Sequence, residues 1–128
     1  MLLYQELTEQ IIGAAIEVHR ILGPGLLESS YKAALAHELH LRGVPFEREV
    51  EILIDFKGVK LADTKYRADF LIDKKVFVEV KSVLQMPPVY SQQIITQMRH
   101  ARIKVGLLIN FNVEKLIDGL QRFVNTQN

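Results

Sequence analysis

Cysteine is absent from the 128 residues of this chain. Its absence excludes a disulfide framework, a zinc site with cysteine ligands and a cysteine nucleophile, and it is compatible with a reducing compartment. No apolar run approaches the roughly 20 residues that a membrane-spanning helix needs. The opening MLLYQELTEQ also lacks the basic start and apolar stretch of a signal peptide. These absences predict a cytoplasmic protein with no membrane partner.

An excess of charge of one sign is also missing, because 16 basic residues stand against 15 acidic ones and the net charge is +1. Proteins held to nucleic acid mainly by phosphate contacts usually carry a clear basic excess. Composition therefore gives no support to nucleic-acid binding, and evidence for it must come from a site. Apolar residues make up 48% of the chain and charged residues 24%, which is ordinary for a globular protein. With no repeat or linker, residues 1–128 are predicted to form one domain.

Hydrophobic spacing and turn residues divide the chain into eight elements. Apolar positions at helical spacing predict four helices. The first covers 8–22, the second runs from the Gly23-Pro24-Gly25 turn to about Arg42, and the others cover 89–102 and 113–124. Alternating apolar and polar residues predict strands at 46–56, 65–72 and 76–82, and the apolar run 104–110 predicts a strand buried on both faces. The order α-α-β-β-β-α-β-α predicts an α/β fold with helices packed on a mixed sheet.

The chemistry of the chain is expected on the second and third strands. Alternation places Phe77, Glu79 and Lys81 on one face of the third strand. If Asp69 pairs with Glu79 in the hairpin, two carboxylates and an ammonium converge, whereas a one-residue slip sets Asp69 opposite Val78. Two carboxylates at such a short distance repel each other unless a cation lies between them. Mg²⁺ and Mn²⁺ prefer such oxygen ligands. The alternative is a charged cluster on an exposed edge that binds no metal.

Two polar residues on helices are further candidates. Glu28 falls on the arc of the second helix that contains Tyr31, Leu35 and Leu39. A buried carboxylate on that arc needs a lysine, an arginine or a metal as its partner, and a structural salt bridge is the alternative reading. Gln93 borders the apolar stripe of the third helix, where it would hold a water or a phosphate. A capping or surface role for Gln93 fits its spacing equally well.

The histidines offer no stronger site. His37 and His40 lie three residues apart on the second helix, whereas the zinc metalloprotease motif needs a spacing of four. His19 lies on the inner stripe of the first helix, which favours a core histidine with a hydrogen-bond partner over a catalytic one.

Several motifs together resemble a known family. The segment Gly25-Leu26-Leu27-Glu28-Ser29-Ser30-Tyr31 resembles the GxxExxY signature of small bacterial proteins that are placed in the PD-(D/E)XK nuclease superfamily. The resemblance runs from Leu7 to Phe123 and includes the segments GAAIEVH (13–19) and VGLLINF (105–111). It implies a restriction-endonuclease-like αβββαβ core, here with an extra N-terminal helix and a C-terminal helix.

The resemblance also implies roles for individual residues. Asp69 corresponds to the motif aspartate, and Glu79-Val80-Lys81 corresponds to the E-x-K element. Glu28 fits the acidic position on the first core helix, and Gln93 fits the glutamine often found on the helix after the E-x-K strand. Gln97 departs from the pattern, because relatives often carry tyrosine there, and a role for an aromatic group at that position is in doubt.

Two functions remain open at this point. The first is hydrolysis of phosphodiester bonds in nucleic acid, with DNA favoured over RNA and with Mg²⁺ or Mn²⁺ as cofactor. The metal would be held by carboxylate and carbonyl oxygens of Asp69, Glu79, Val80 and Glu28, and the catalytic side chains would be Lys81, Glu28 and Gln93. The second is a non-catalytic binding or oligomerisation module in which the same charges form a structural network. The small size leaves sequence specificity to a partner or to a homodimer.

Overall fold

The computed structural model describes residues 2–126, apart from the side chain of residue 65. Its elements, in chain order, are α1 (Gln5–Leu22), α2 (Glu28–Leu41), β1 (Phe46–Phe56), β2 (Val59–Ile72), β3 (Val76–Lys81), α3 (Val89–Ala101), β4 (Val105–Asn110), a 3₁₀ helix (Leu116–Gly119) and β5 (Leu120–Val124). Among these residues, none of the helices is both long enough and apolar enough to cross a membrane. The order confirms the predicted α/β class.

The five strands form one mixed sheet in the order β1-β2-β3-β4-β5. Neighbouring strands run antiparallel except for β3 and β4, which are parallel and are connected by α3. The alternation of β3 divides the core between the two faces of the sheet. Val78 and its neighbours at positions 76 and 80 pack with residues of α1 and α2, whereas Phe77 packs with Ile94 and Met98 of α3. This division confirms the predicted faces of the third strand.

The register of the β2–β3 hairpin is the one that the carboxylate argument favoured. Phe70 pairs with Val78 and Leu71 pairs with Phe77, so Asp69 lies opposite Glu79 when the register is continued by one residue. A slip by one residue would have carried the apolar side chains of β3 to the wrong face of the sheet. The register that the sequence favoured for this hairpin is therefore confirmed from Phe70 to Ile72.

The predicted C-terminal helix over 113–124 is wrong. The segment forms the 3₁₀ helix and then β5, which pairs antiparallel with β4. All six residues of β4 are buried, and a buried strand must find backbone partners along both of its edges. Gly119 also disfavours a helix, and it approaches β4 so closely that a Cβ atom there would collide with the carbonyl oxygen of Asn110.

Candidate active site

The strands β2 and β3 separate at the residues that the sequence singled out. Their pairing ends at Phe70 and Val78. Beyond that point, the Val80 N–H donates to Oδ2 of Asp69 at 2.8 Å, and the Asp69 N–H donates to Oε1 of Glu79 at 3.1 Å. Side-chain carboxylates have thus replaced the backbone acceptors of a regular ladder. We call this point, defined by Asp69, Glu79 and Val80, the fork.

The backbone of β3 also presents an oxygen to the fork. The N–H and C=O groups of one residue in a strand point to the same edge. Because the Val80 N–H donates toward β2, the Val80 carbonyl faces the fork as well. The carbonyl of Lys81, one residue further, faces β4 and accepts the Phe111 N–H at 2.9 Å. Metal ligation by the Val80 carbonyl requires this orientation, and the ligand role itself stays a prediction.

A lysine from α2 joins the fork to two further carboxylates. The Nζ atom of Lys32 lies 2.8 Å from Oδ1 of Asp69, 3.1 Å from Oε2 of Glu28 and 3.8 Å from Oε1 of Glu49. Burial acts to lower the pKa of Lys32, but the hydrogen bonds to Asp69 and Glu28 outweigh it and raise the pKa above its ordinary value. Lys32 is therefore charged at neutral pH. We call these four residues the Lys32 cluster.

Glu28 owes its position to a turn that Tyr31 holds in place. Tyr31 is fully buried and stacks on Phe111 with 4.6 Å between ring centres. Its hydroxyl donates to the carbonyl of Gly23 at 2.5 Å and accepts the Leu26 N–H at 3.1 Å. These bonds fix the segment before α2, whose first residue is Glu28. The Glu28 side chain is 38% exposed, so it lies at the rim of the site rather than within the core.

Glu79 and Lys81 face α3, where the structure brings them together with Gln93. These three residues, with Tyr90 and Gln97 among others, line a small cavity of about 20 Å³. The Lys81 Nζ atom lies 4.7 Å from the centre of the Tyr90 ring, within the range of a cation–π contact. Gln93 has an exposed side chain. An ammonium and an amide therefore border the carboxylate of Glu79 on the α3 side of the sheet.

A wider cleft of about 520 Å³ opens beside this cavity. One wall is α3 and the other is the part of the β1–β2 hairpin that extends from the Val50–Ala68 pair to the Phe56–Val59 pair, which we call the arm. The lining is rich in amide, hydroxyl and aromatic groups, and comprises Ile54, Tyr66, Val89, Gln92, Gln93, Thr96, Gln97 and His100. Gln93 and Gln97 line both spaces, so the cleft lies directly beside the cavity that Glu79 and Lys81 border.

The two carboxylates of the fork are short of positive charge. Burial and, after it, the negative charge of Asp69 raise the pKa of Glu79 to about 8, although the Asp69 N–H, Lys81 and Lys32 act in the opposite direction. Among residues 2–126, no three His, Cys, Asp or Glu side chains are grouped as a metal site. A ligand set at the fork must therefore include backbone or water oxygens. Two carboxylates with a carbonyl oxygen beside them are hard donors that suit Mg²⁺ or Mn²⁺.

The raised pKa of Glu79 predicts how stability changes with pH when no divalent ion is present. The folded protein keeps a proton on Glu79 up to about pH 8, whereas the unfolded chain loses it near the ordinary value of 4.5. Folding stability therefore falls as pH rises through that window. Glutamine mimics the protonated form of Glu79 at every pH. We therefore expect the free energy of unfolding of Glu79→Gln, relative to that of the parent, to rise by on the order of 2–3 kcal/mol from pH 5 to pH 8.

Urea unfolding in EDTA at several pH values between 5 and 8 measures this difference. Glu6→Gln, at an exposed position on α1, is the control for loss of a carboxylate elsewhere. Parallel stability curves for Glu79→Gln and the parent would show that Glu79 does not hold this proton.

Sequence reasoning missed Lys32, Glu49 and Tyr90. Lys32 follows Glu28 by four residues, a spacing that brings side chains together on a helix, so that signal is present in the sequence. Glu49 lies opposite Asp69 in the β1–β2 register, and its backbone is left-handed with φ 52°. Alternation does not predict such a kink, and residues in this strained region often lie at functional sites.

His19 has the hydrogen-bond partner that the sequence favoured, although it is only partly buried. The Nε2 atom of His19 donates to the carbonyl of Val113 at 2.7 Å, and the ring lies 6.4 Å from that of Phe111. His19 therefore connects α1 to the segment after β4. His37 and His40 are exposed on α2.

Comparison with known proteins agrees with this geometry. A family model described as the PD-(D/E)XK nuclease superfamily matches residues 5–123. No curated protein and no solved structure matches the chain. The match covers almost the whole chain and both strands of the fork. It does not test the narrower likeness to GxxExxY proteins, which stays a prediction.

Proposed function

The chain belongs to the PD-(D/E)XK nuclease superfamily, and we propose that it hydrolyses phosphodiester bonds in nucleic acid with Mg²⁺ or Mn²⁺ bound at the fork. Nucleases of this superfamily act on nucleic acid and generally use divalent metals. The observation that carries the proposal is the pair of hydrogen bonds by which Asp69 and Glu79 each accept a backbone N–H across the fork. These bonds hold two carboxylates where the sheet opens.

The metal would be held by the carboxylates of Asp69 and Glu79 and by the carbonyl of Val80. A divalent ion supplies positive charge to the scissile phosphate and makes a bound water more acidic. The donors fit this role because they are hard oxygens, and because the carboxyl of Glu79 otherwise keeps a proton to about pH 8. Glu28 borders the same space through Lys32.

Lys81 and Gln93 are proposed to act on the phosphate. Hydrolysis forms a bond between a water oxygen and phosphorus and breaks one ester bond, so negative charge grows on the phosphoryl oxygens. The Lys81 ammonium, on the same side of the sheet as Glu79, would meet this charge. The Tyr90 ring limits where the ammonium can go, because it lies 4.7 Å from Nζ. The exposed Gln93 amide would donate to a phosphate oxygen or to the attacking water.

The cleft between the arm and α3 is the proposed path of the nucleic-acid strand. Its amide groups are suited to hydrogen bonds with bases, and the Tyr66 ring, whose residue is 43% exposed, offers a face on which a base can stack. Such contacts do not depend on a basic excess, which agrees with the net charge of +1. The cleft therefore favours a single strand, or a strand unwound from a duplex, over an intact duplex.

Tyr66→Ala is expected to weaken the binding of a labelled single-stranded oligonucleotide by about 5- to 150-fold. The reason is that loss of one base–aromatic stack typically costs about 1–3 kcal/mol. Fluorescence anisotropy in EDTA measures the affinity without cleavage. Phe56→Ala is the matched control, because Phe56 is an exposed aromatic residue on the same arm but outside the cleft lining. Equal affinity in both variants would exclude the cleft as the path.

The proposed activity is tested by cleavage of end-labelled single- and double-stranded DNA and RNA. Each substrate is incubated with Mg²⁺, with Mn²⁺ and with EDTA, and an Asp69→Asn preparation purified in parallel reveals contaminating nucleases. We expect cleavage that needs the metal and the aspartate. The absence of cleavage from every combination would overturn the proposal.

The second candidate function is a non-catalytic module. It is favoured by the Lys32 cluster, in which an ammonium already meets three carboxylates. In that case the charges would hold α2 to the sheet, and the protein would cleave no nucleic acid with any metal. The preference for DNA, a homodimer and a cytoplasmic location all stay predictions.

A further inference from the structure

The Lys32 ammonium contacts the same carboxylate that the metal needs. Its Nζ atom lies 2.8 Å from Oδ1 of Asp69, while Oδ2 of Asp69 accepts the Val80 N–H. Both oxygens of Asp69 are therefore engaged. The Lys32 side chain is 17% exposed and reaches this point from α2, so the surrounding structure holds it there. A divalent ion and an ammonium at one carboxylate repel each other, and this repulsion is poorly screened where the groups are partly buried.

We propose that Lys32 is a built-in cation that occupies the metal site in the metal-free protein, and that a divalent ion binds as the ammonium leaves Asp69. This inference rests on the proposed function and adds regulation of the same site. Lys32 takes no part in the chemistry of the phosphate. It sets how tightly the fork binds the metal.

The Lys32 cluster provides a place for the ammonium after it leaves. The carboxylates of Glu28 and Glu49 lie 3.1 and 3.8 Å from Nζ, and their side chains are 38% and 45% exposed, compared with 9% for Asp69. The ammonium can therefore move toward the rim and remain paired. In this proposal Glu28 acts as an acceptor for Lys32; the ligand role that the sequence suggested for Glu28 stays a prediction.

The charges of the cluster also favour exchange over a purely structural salt bridge. Three carboxylates surround one ammonium, so positive charge is in deficit. A structural pair on the same helix is simpler, because Arg42 meets the single carboxylate of Glu38 at 2.7 Å. The excess of carboxylates in the Lys32 cluster leaves negative charge for an incoming dication to neutralise.

The test compares Mn²⁺ affinity, measured by calorimetry, in four proteins: the parent, Lys32→Gln, Lys32→Arg and Arg42→Gln. We expect Lys32→Gln to bind Mn²⁺ about tenfold more tightly than the parent or better, because no ammonium then competes for Asp69. A tenfold gain corresponds to roughly 1.4 kcal/mol. Lys32→Arg keeps the charge and should bind no more tightly than the parent. Arg42→Gln breaks a salt bridge on the same helix away from the fork and should leave the affinity unchanged.

Thermal unfolding supplies a second readout. Lys32→Gln is expected to melt below the parent in EDTA, because its carboxylates lose their cation, and to gain more stability from Mn²⁺ than the parent does. A merely structural lysine would lower the melting temperature without this larger gain. If Lys32→Gln does not fold, Lys32→Met, which keeps the apolar stem, takes its place.

The outcomes separate this inference from the proposed function. Binding to the parent that is not strengthened in Lys32→Gln overturns the inference and leaves the metal site intact. Binding to Lys32→Gln alone supports the inference, since the lysine then closes the site completely. If neither protein binds Mn²⁺, the inference is overturned and the metal at the fork fails with it.

Discussion

Asp69→Asn is expected to abolish Mn²⁺ binding and to slow cleavage by about 10³-fold or more, a loss of roughly 4 kcal/mol of transition-state stabilisation. Asparagine keeps an oxygen that can accept the Val80 N–H, so the shape of the fork should survive. The negative charge is lost, however, while the Lys32 ammonium remains beside it. Calorimetry with Mn²⁺ and cleavage rates on the same preparation measure both effects.

The matched control for this change is Asp73→Asn. Asp73 lies between β2 and β3, close to the fork in sequence, but its partner is the exposed Lys75 at 3.3 Å. We expect the control to bind Mn²⁺ and to cleave as the parent does. Undiminished Mn²⁺ binding by Asp69→Asn would show that the ion is held elsewhere.

Lys81→Met should separate metal binding from chemistry. An ammonium is not a metal ligand, so Mn²⁺ affinity is expected to stay the same or to rise slightly when one positive charge is removed. Cleavage should nevertheless fall by about 10²–10³-fold, because removal of one group that stabilises transition-state charge has an effect of that size. Methionine keeps the apolar stem and its packing near Tyr90, so the loss reports on the charge.

Lys75→Met is the control for Lys81, since Lys75 is exposed at the β2–β3 turn and its ammonium meets a surface aspartate and the Tyr4 ring, away from the fork. Single-turnover rates measured with saturating Mn²⁺ exclude an effect of weaker metal binding on the cleavage rate. Cleavage by Lys81→Met at the parent rate would refute its catalytic role. Loss of Mn²⁺ affinity in the same variant would instead indicate that Lys81 helps to shape the fork.

Most of the fold follows from short-range patterns. The alternation in 76–80 and the turn at 73–75 were sufficient to predict the pairing of β2 with β3, because a slip exposes apolar side chains. The prediction for segment 113–124 is wrong, because its helical spacing does not show that β4 needs a backbone hydrogen-bond partner on its second edge. A strand buried on both faces needs partners on both edges, and that requirement depends on sheet order, which the local pattern does not contain.

The site was predicted where it depends on strand alternation and missed where it depends on how helices dock. Asp69 and Glu79 meet because of register alone. The position of Lys32 follows from the angle at which α2 packs on the sheet, and that of Glu49 follows from a backbone kink at φ 52°. Neither is encoded in a spacing between residues of one strand. The partner that Glu28 required proved to be a lysine, one of the alternatives that the sequence allowed.

The arm has a consequence for how the molecule fluctuates. β3 pairs with β2 only from Phe70 to Ile72, so the arm has no third strand beside it. Its base packs on α3 through the buried Ile52 and Ala68, but toward the Phe56–Val59 pair it is a two-stranded hairpin, a structure that is marginally stable by itself in water. Local opening in proteins spans a wide range of free energies, and such segments lie at its low end. The amide hydrogens of the outer arm, near the Phe56–Val59 pair, will therefore exchange with solvent sooner than those around Glu79. If the outer arm opens in this way, the proposed nucleic-acid strand can enter the cleft from the side while the residues around Glu79 keep their positions.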